Sequence, residues 1–266
     1  MKNKIRRIIA VVFMAIFAGV VVVANPESYE TIFRKTENTG EEYGVLEESI
    51  EESSEESSGE SSGESVTEQN SATEIEGYKT ELATEVLEKL EVKGRAPKTG
   101  YAREEFYSGW PTVDGCNLRQ RILKREFGET AVLDGCTVIA GEYDEPYTGE
   151  HLIFTEKSEI SKGVQIDHIV ALSDAWQKGA QYMEKSVRYS IATDPLNLLA
   201  VDASTNMKKS DGDAATWLPP NKKFRCQYVA RQISVKYKYG LWVTEAEKTA
   251  IENVLSSCPN EKAYVE

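Results

Sequence analysis

The stretch that decides the fold is VQIDHIVALSDAW, residues 164–176. Apolar and polar side chains alternate over its first residues, and this period of two predicts a strand over residues 164–169. The strand carries an adjacent Asp167-His168 pair. Because neighbouring residues on a regular strand point to opposite faces, we expect a bend or a strand end here if both side chains serve one site.

A second stretch, DPLNLLAVDASTNMKKSD at residues 194–211, supplies a partner strand. Proline does not fit the middle of a sheet, so Asp194-Pro195 is expected to open a strand over residues 198–201. A polar, lysine-rich helix is expected to begin at Asn206, nine positions after Asn197. The predicted order is strand, strand and helix, with Asp-His, Asn and Asn at set positions.

With these residues the chain resembles the HNH, or ββα-metal finger, endonucleases. It resembles above all the secreted bacterial proteins of that group, which are related to the nuclease domain of modification-dependent restriction enzymes. The resemblance extends over residues 82–258 and implies an α+β fold, with a ββα-metal nuclease core and surrounding helices. It also implies an exported endonuclease that hydrolyses phosphodiester bonds, with nucleic acid, DNA above all, as its partner. No protein partner is evident from the sequence.

The resemblance also assigns roles at the site. His168 stands at the position of the general base, a role suited to a side chain with a pKa of about 6.5. Asp167 and Asn206 stand at the positions of the metal ligands, and Asn197 at that of a residue that orients the histidine. Two hard oxygen ligands favour Mg²⁺ or Mn²⁺ as the cofactor, rather than zinc.

Several basic residues are candidates for substrate binding. Lys208 and Lys209, one turn into the site helix, are placed to meet a phosphate. A helix predicted over residues 117–126 turns Arg119 outward, where it contacts either a phosphate or only solvent. Two more helices are predicted over residues 222–239 and 244–257. The first carries the densest positive group of the domain: Lys222, Lys223, Arg225, Arg231, Lys236 and Lys238. A solvated helix face explains half of that group equally well.

Each of these residues can be explained without catalysis. A capping aspartate and a surface histidine account for Asp167-His168, and a turn accounts for Asn197. The joint pattern favours the nuclease. The other histidine, His151, lies in a polar loop and is expected on the surface. The alternative function is an exported, non-catalytic module that binds nucleic acid or a cell surface and retains the HNH fold. A toxin-like nuclease with an immunity partner is a third hypothesis.

Composition divides the 266-residue chain into three parts. Residues 1–24 combine four basic residues with an apolar run, a pattern typical of a signal peptide or an N-terminal membrane anchor. Residues 25–77 are rich in Glu and Ser, which predicts a disordered linker. Residues 78–266 form the predicted HNH-type nuclease domain. We therefore expect a bacterial protein that is secreted or anchored outside the cell, touching the membrane only through an uncleaved N-terminal segment.

The net charge of −13 comes from the acidic segment rather than from the domain. Residues 25–94 carry 20 acidic and 5 basic side chains, whereas residues 95–266 carry 24 acidic and 22 basic ones. A domain so near to neutral neither supports nor excludes a polyanionic partner, because electrostatic steering depends on where the charges lie.

The four cysteines, at positions 116, 136, 226 and 258, all lie in the predicted domain. In an exported chain, an even number of cysteines predicts two disulfides, and the sequence allows three pairings. The nearest-neighbour pairing, Cys116–Cys136 and Cys226–Cys258, closes loops of about 20 and 32 residues, each worth about 3 kcal/mol in the chain-entropy model. Zinc binding is the competing interpretation, and the absence of a Cys-x-x-Cys spacing disfavours it.

Overall fold

A computed structural model describes residues 79–265. The predicted signal or anchor at residues 1–24 and the predicted linker at residues 25–77 lie outside this range. The described chain is an α+β domain in which short antiparallel strands alternate with helices. In this part of the protein no helix has the length and apolarity needed to cross a membrane.

Nine strands and eight helices make up residues 79–265. The strands are β1 Thr80–Leu82, β2 Thr112–Val113, β3 Cys116–Asn117, β4 Val132–Asp134, β5 Thr137–Asp144, β6 His151–Phe154, β7 Val164–His168, β8 Leu198–Asp202 and β9 Lys262–Tyr264. The helices are α1 Ala83–Glu88, α2 Leu118–Phe127, α3 Lys157–Gly163, α4 Leu172–Gln177, α5 Lys185–Thr193, α6 Ala203–Lys209, α7 Arg225–Tyr239 and α8 Glu245–Leu255.

The strands form four small antiparallel sheets. β1 pairs with β9, β2 with β3, and β7 with β8, while β4, β5 and β6 form a three-stranded sheet. The β7–β8 pair lies between two apolar clusters, because alternate residues of a strand face opposite sides. Leu198 and Ala200 pack with α2, whereas Leu199 and Val201 pack with α7. Both faces of this sheet are therefore buried.

Helix ends follow local capping chemistry. The side chain of Asn117 accepts a hydrogen bond from the backbone N–H of Arg119 at 3.0 Å and so starts α2. Thr244 and Glu247 form the capping box expected at the start of α8. Gly240, with φ of +63°, ends α7 in the left-handed region that glycine adopts without strain.

One predicted helix start is corrected. α6 begins at Ala203 because the side chain of Asp202 accepts a hydrogen bond from the backbone N–H of Thr205 at 2.7 Å. Asn206 therefore lies within the helix rather than at its first position.

Two disulfides link elements of the domain. Cys116 is joined to Cys136, with Cα atoms 5.6 Å apart, and Cys226 to Cys258, with Cα atoms 6.4 Å apart. This is the nearest-neighbour pairing, and no cysteine of the domain is free. The first disulfide ties the β2–β3 hairpin to the β4–β5 turn, and the second ties the start of α7 to the end of α8.

Candidate active site

The strand pair β7–β8 and the helix α6 position the predicted site residues. Asp167 lies opposite Leu199 and His168 opposite Leu198 in the antiparallel register. His168 is the last residue of β7, and α6 follows β8 directly. The side chain of Asp167 contacts α6, whereas that of His168 contacts aromatic residues that precede β2. The two side chains are thus held by different neighbours, as their alternation along the strand requires.

Asp167 is buried, and both of its carboxylate oxygens accept hydrogen bonds. The Nζ atom of Lys209 lies 3.0 Å from Oδ1 and 2.9 Å from Oδ2, and the hydroxyl of Tyr147 donates to Oδ2. Lys209 also donates to the carbonyl oxygen of His168 at 2.8 Å. Burial, and then the charge of Asp167, raises the pKa of Tyr147 far above its usual value, so the phenol remains a donor.

Three contacts hold the imidazole of His168. Trp110 stacks on it and Tyr107 lies tilted against it, each with ring centroids 5.8 Å away. Nε2 lies 2.9 Å from the carbonyl oxygen of Ala192. Because a carbonyl only accepts, Nε2 carries the proton of the neutral ring and the lone pair is on Nδ1. Nδ1 has no hydrogen-bond partner within residues 79–265.

The surroundings of His168 keep it neutral. Burial is the largest cause that lowers its pKa to about 3, and the positive charge of Arg103 is the next; the Ala192 carbonyl acts in the opposite direction. At physiological pH the ring is therefore neutral, with an unprotonated lone pair on Nδ1. An anion bound beside the ring would raise this pKa, because negative charge favours the imidazolium.

Asn197 is fully buried and acts on the backbone around His168. Its Oδ1 accepts a hydrogen bond from the N–H of Val170 at 2.8 Å, and its Nδ2 donates to the carbonyl of Ile191 at 3.0 Å. The first bond fixes the chain just after His168, and the second fixes the residue before Ala192. Asn197 thus positions the carbonyl that holds the imidazole, without bonding the ring itself.

Asn206 is half-buried on α6 and faces the strand that carries Asp167. Its Nδ2 donates to Oε1 of Gln165 at 2.9 Å. Gln165 and Asp167 are two residues apart on β7 and so share one face of the sheet. The other amide atom, Oδ1 of Asn206, has no protein partner in the described range and is able to accept a bond or bind a cation.

By donor type Asp167 and Asn206 match a hard divalent cation, but Lys209 and Tyr147 occupy both carboxylate oxygens of Asp167 in this structure. A carboxylate and an amide oxygen suit Mg²⁺ or Mn²⁺. The carboxylate of Asp167 and the carbonyl of His168 already surround a positive charge, the ammonium of Lys209. Elsewhere in residues 79–265, one group of His, Cys, Asp or Glu side chains has metal-ligand spacing: Cys226, Cys258 and Glu261. Its cysteines form a disulfide and offer no thiolate.

The two lysines predicted to meet a phosphate have different surroundings. Lys208 is exposed and lines an open cleft of about 370 Å³ with Arg95 and Trp217. Lys209 is buried and binds Asp167 and the His168 carbonyl instead of facing solvent. In this conformation only Lys208 is presented to a ligand.

Arg119 and Arg231, the predicted substrate-binding arginines, both bind backbone carbonyls. Arg119 donates to Val164 at 3.1 Å, and burial lowers its pKa. Arg231 donates to the carbonyls of Leu196 and Leu198, at 2.9 and 3.0 Å, and so fixes the start of β8. Burial, and then the charge of Arg125, lowers the pKa of Arg231 to about 10. The expectation that Arg231 belongs to a solvent-facing basic patch is therefore corrected.

Lys236, another member of the predicted patch, is fully buried in what we call the ionic cluster. The cluster joins three cations and three carboxylates: Arg95, Lys178, Lys236, Asp174, Asp213 and Glu247. Sequence reasoning missed it, although Asp174 and Lys178 stand four residues apart on one helix, a spacing that signals an ion pair. His151, in contrast, is exposed beside Asp144 as predicted, but it begins strand β6 instead of lying in a loop.

Sequence reasoning also missed two residues at the site itself. Tyr147 lies in the loop between β5 and β6, where Pro146 and Gly149 indicate only a turn. Arg103 lies in the aromatic segment before β2, and its charge acts on His168. Neither stands in a spacing that relates it to Asp167-His168, because both meet the site through long-range folding.

The fold and the site define a disulfide-bonded α+β domain with a histidine and an aspartate at the end of one strand. A family model described as "GmrSD restriction endonucleases, C-terminal domain" matches residues 119–254, just over half of the chain. The chain belongs to this family.

A secreted protein is also similar to this chain. An uncharacterized secreted protein of Arthroderma benhamiae is 37% identical over 179 residues, which are 66% of this chain and 84% of the relative. No solved structure matches the chain. A restriction-endonuclease family and a secreted relative agree with two of the expectations drawn from the sequence. The bacterial source stays a prediction, because this relative is a fungal protein.

Proposed function

We propose that this chain is an exported, metal-dependent endonuclease of the HNH type that hydrolyses phosphodiester bonds of DNA. His168 is the general base, and Asp167 and Asn206 hold one Mg²⁺ or Mn²⁺ ion. The observation that carries the proposal is the neutral imidazole of His168, with Nε2 fixed on the Ala192 carbonyl and Nδ1 left to accept a proton. The endonuclease family and the strand–strand–helix order support it.

The proposed reaction balances as a hydrolysis. Nδ1 of His168 takes one proton from a water molecule, whose oxygen forms a new bond to phosphorus. The bond between phosphorus and the leaving sugar oxygen breaks, and that oxygen takes a proton from solvent. The Ala192 carbonyl stabilises the imidazolium through Nε2–H, and Asn197 holds that carbonyl in place. When bound, the metal ion supplies positive charge for the phosphate oxygens.

The test is cleavage of plasmid DNA, and of RNA for comparison, by the purified domain with Mg²⁺, Mn²⁺ or a chelator. We expect cleavage that the chelator abolishes. Asp167→Ala and Asn206→Ala should require more metal, and Asn253→Ala, an exposed asparagine on α8, serves as the matched control. Asn197→Ala should slow cleavage less than loss of His168, because it positions backbone. Cleavage that is indifferent to chelator would refute the metal-dependent mechanism.

One observation favours the alternative, a non-catalytic exported module that binds nucleic acid. The ammonium of Lys209 already neutralises Asp167, so the carboxylate needs no metal to be stable. The alternative predicts that DNA binds with equal affinity with and without chelator and is not cut. Titration of the domain with Mn²⁺, followed by electron paramagnetic resonance, separates the two functions. Only the nuclease requires a bound ion, and Asp167→Ala should weaken the binding of that ion.

A further inference from the structure

Arg103 begins the short 3-10 turn that precedes β2 and is exposed. Its guanidinium donates to the hydroxyl of Tyr107 and lies 5.1 Å from the centroid of the same ring. These two contacts orient the side chain, because a guanidinium stacks on an aromatic face and bonds a phenol at its edge. They leave most of its five N–H donors unused.

No other arginine in residues 79–265 is left in this state. Each of the others bonds a carboxylate or a backbone carbonyl: Arg95, Arg119, Arg121, Arg125, Arg188, Arg225 and Arg231. Arg103 has neither kind of partner in the described structure. It is thus an oriented cation whose anion is not supplied by the domain.

The ring that orients Arg103 also supports the candidate base. Tyr107 packs against the guanidinium on one side, and its centroid lies 5.8 Å from that of His168. The influence of the Arg103 charge on His168 agrees with this proximity. Tyr107 also lines a cleft of about 460 Å³ with Phe106 and Tyr189, and Arg103 itself is exposed to solvent at the neighbouring turn.

We propose that Arg103 binds the phosphodiester group on which His168 acts. This inference rests on the proposed nuclease function and adds a phosphate-binding residue to it. A guanidinium is suited to the task, because its planar fork makes paired hydrogen bonds to two phosphate oxygens. Tyr107 would hold the guanidinium in place while it binds the phosphate.

Binding is tested without catalysis, in the His168→Ala background. The probe is a fluorescent DNA duplex, measured by anisotropy over a range of salt concentrations with Mg²⁺ present. Arg103→Ala should weaken binding and reduce the slope of log affinity against log salt by about 1, as expected for the loss of one phosphate contact. The matched control is Lys93→Ala. Lys93 is also an exposed cation over an aromatic ring, that of Trp242, and should leave the slope unchanged.

Catalysis is tested at saturating DNA with an otherwise unaltered protein. Arg103→Ala should slow cleavage by about 10²–10³-fold, the usual effect of losing a positioned donor to a reacting phosphate or oxyanion. Arg103→Lys should recover part of the affinity and less of the rate, because a lysine keeps the charge and loses the fork. Melting temperatures should stay at the wild-type value, since the side chain is exposed.

The outcomes separate this inference from the nuclease function. If the protein cuts DNA and Arg103→Ala cuts and binds as well as wild type, the inference is wrong and the function stands. If the protein does not cut, and the salt slope still falls only in Arg103→Ala, the phosphate site stands and catalysis does not. A salt slope equally changed by Lys93→Ala would also overturn the inference.

Discussion

The ionic cluster and the candidate active site both bury charged side chains, but they differ in how completely those charges are paired. In the cluster, Lys178 contacts Asp174, Asp213 and Glu247 at 2.6 to 2.8 Å, and Lys236 contacts two of the same carboxylates. In the site, Asp167 is paired with Lys209, while Nδ1 of His168 has no hydrogen-bond partner in the part of the chain that the structure describes.

The degree of pairing distinguishes charged groups that stabilise the fold from those that are candidates for binding or catalysis. Burial alone would lower the pKa of Lys236, but Glu247 and Asp174 raise it; burial alone would raise that of Asp213, but Lys178 lowers it. Those groups stabilise one another's charged forms inside the domain. At the site, Nδ1 of His168 and most donors of Arg103 have no hydrogen-bond partner within residues 79–265.

The largest expected effect concerns the cluster. Lys178→Met leaves three carboxylates facing two cations inside the protein, and breaking such a buried pair costs about 3–5 kcal/mol. The free energy of unfolding, measured with urea, should fall by that amount. Lys98→Met is the control, because Lys98 pairs with Asp211 at the surface, where an ion pair is worth about 0–1 kcal/mol. Equal losses in the two variants would show that the cluster is not a closed unit.

A smaller expected effect is a difference between Lys209 and Lys178 in how Mg²⁺ stabilises the protein after each is replaced. Lys209→Met should lose stability, and Mg²⁺ should stabilise this variant more than wild type, because Asp167 no longer holds an ammonium. A ligand at about 100 times its Kd adds about 2.7 kcal/mol. Lys178→Met should gain no more from Mg²⁺ than wild type does. Thermal melts over a Mg²⁺ titration measure this, and an equal gain in both variants would place the cation elsewhere.

The smallest effect is the acid sensitivity of the cluster. Burial alone would raise the pKa of Asp213, but Lys178 and Arg95 hold this pKa below its usual value. A depressed folded-state pKa contributes stability above the unfolded value of about 3.9, and this stability is lost as the pH falls. Asp213→Asn should therefore flatten the decline of stability below about pH 4. Urea unfolding at several pH values checks this, and an unchanged slope would contradict it.

Much of the fold follows from local sequence signals. The strands around Asp167-His168 and the helices α2 and α8 lie close to where the sequence predicts them. The observed disulfide pairing is the nearest-neighbour one of the three that the sequence allows. These features depend on neighbours close in sequence, which a single sequence displays.

The rest depends on contacts between distant residues. Nothing in the basic pattern around α7 shows that Arg231 bonds carbonyls about 35 residues away, or that Lys236 joins Asp174. The contacts of Tyr147 with Asp167 and of Arg103 with Tyr107 also arise only in the folded chain. The sequence therefore indicates which residues carry chemistry, while their partners, and with them their roles, come from tertiary structure.

One measurement tests most directly whether His168 is the general base. Plasmid cleavage at saturating Mg²⁺ is compared between wild type, His168→Ala and His151→Ala, the surface histidine serving as the matched control. Loss of a positioned general base should slow cleavage by about 10²–10⁴-fold in His168→Ala, with Mg²⁺ affinity unchanged because the imidazole is not a ligand. His151→Ala should cut at the wild-type rate. A folded His168→Ala protein that cuts DNA as fast as wild type would contradict the central claim.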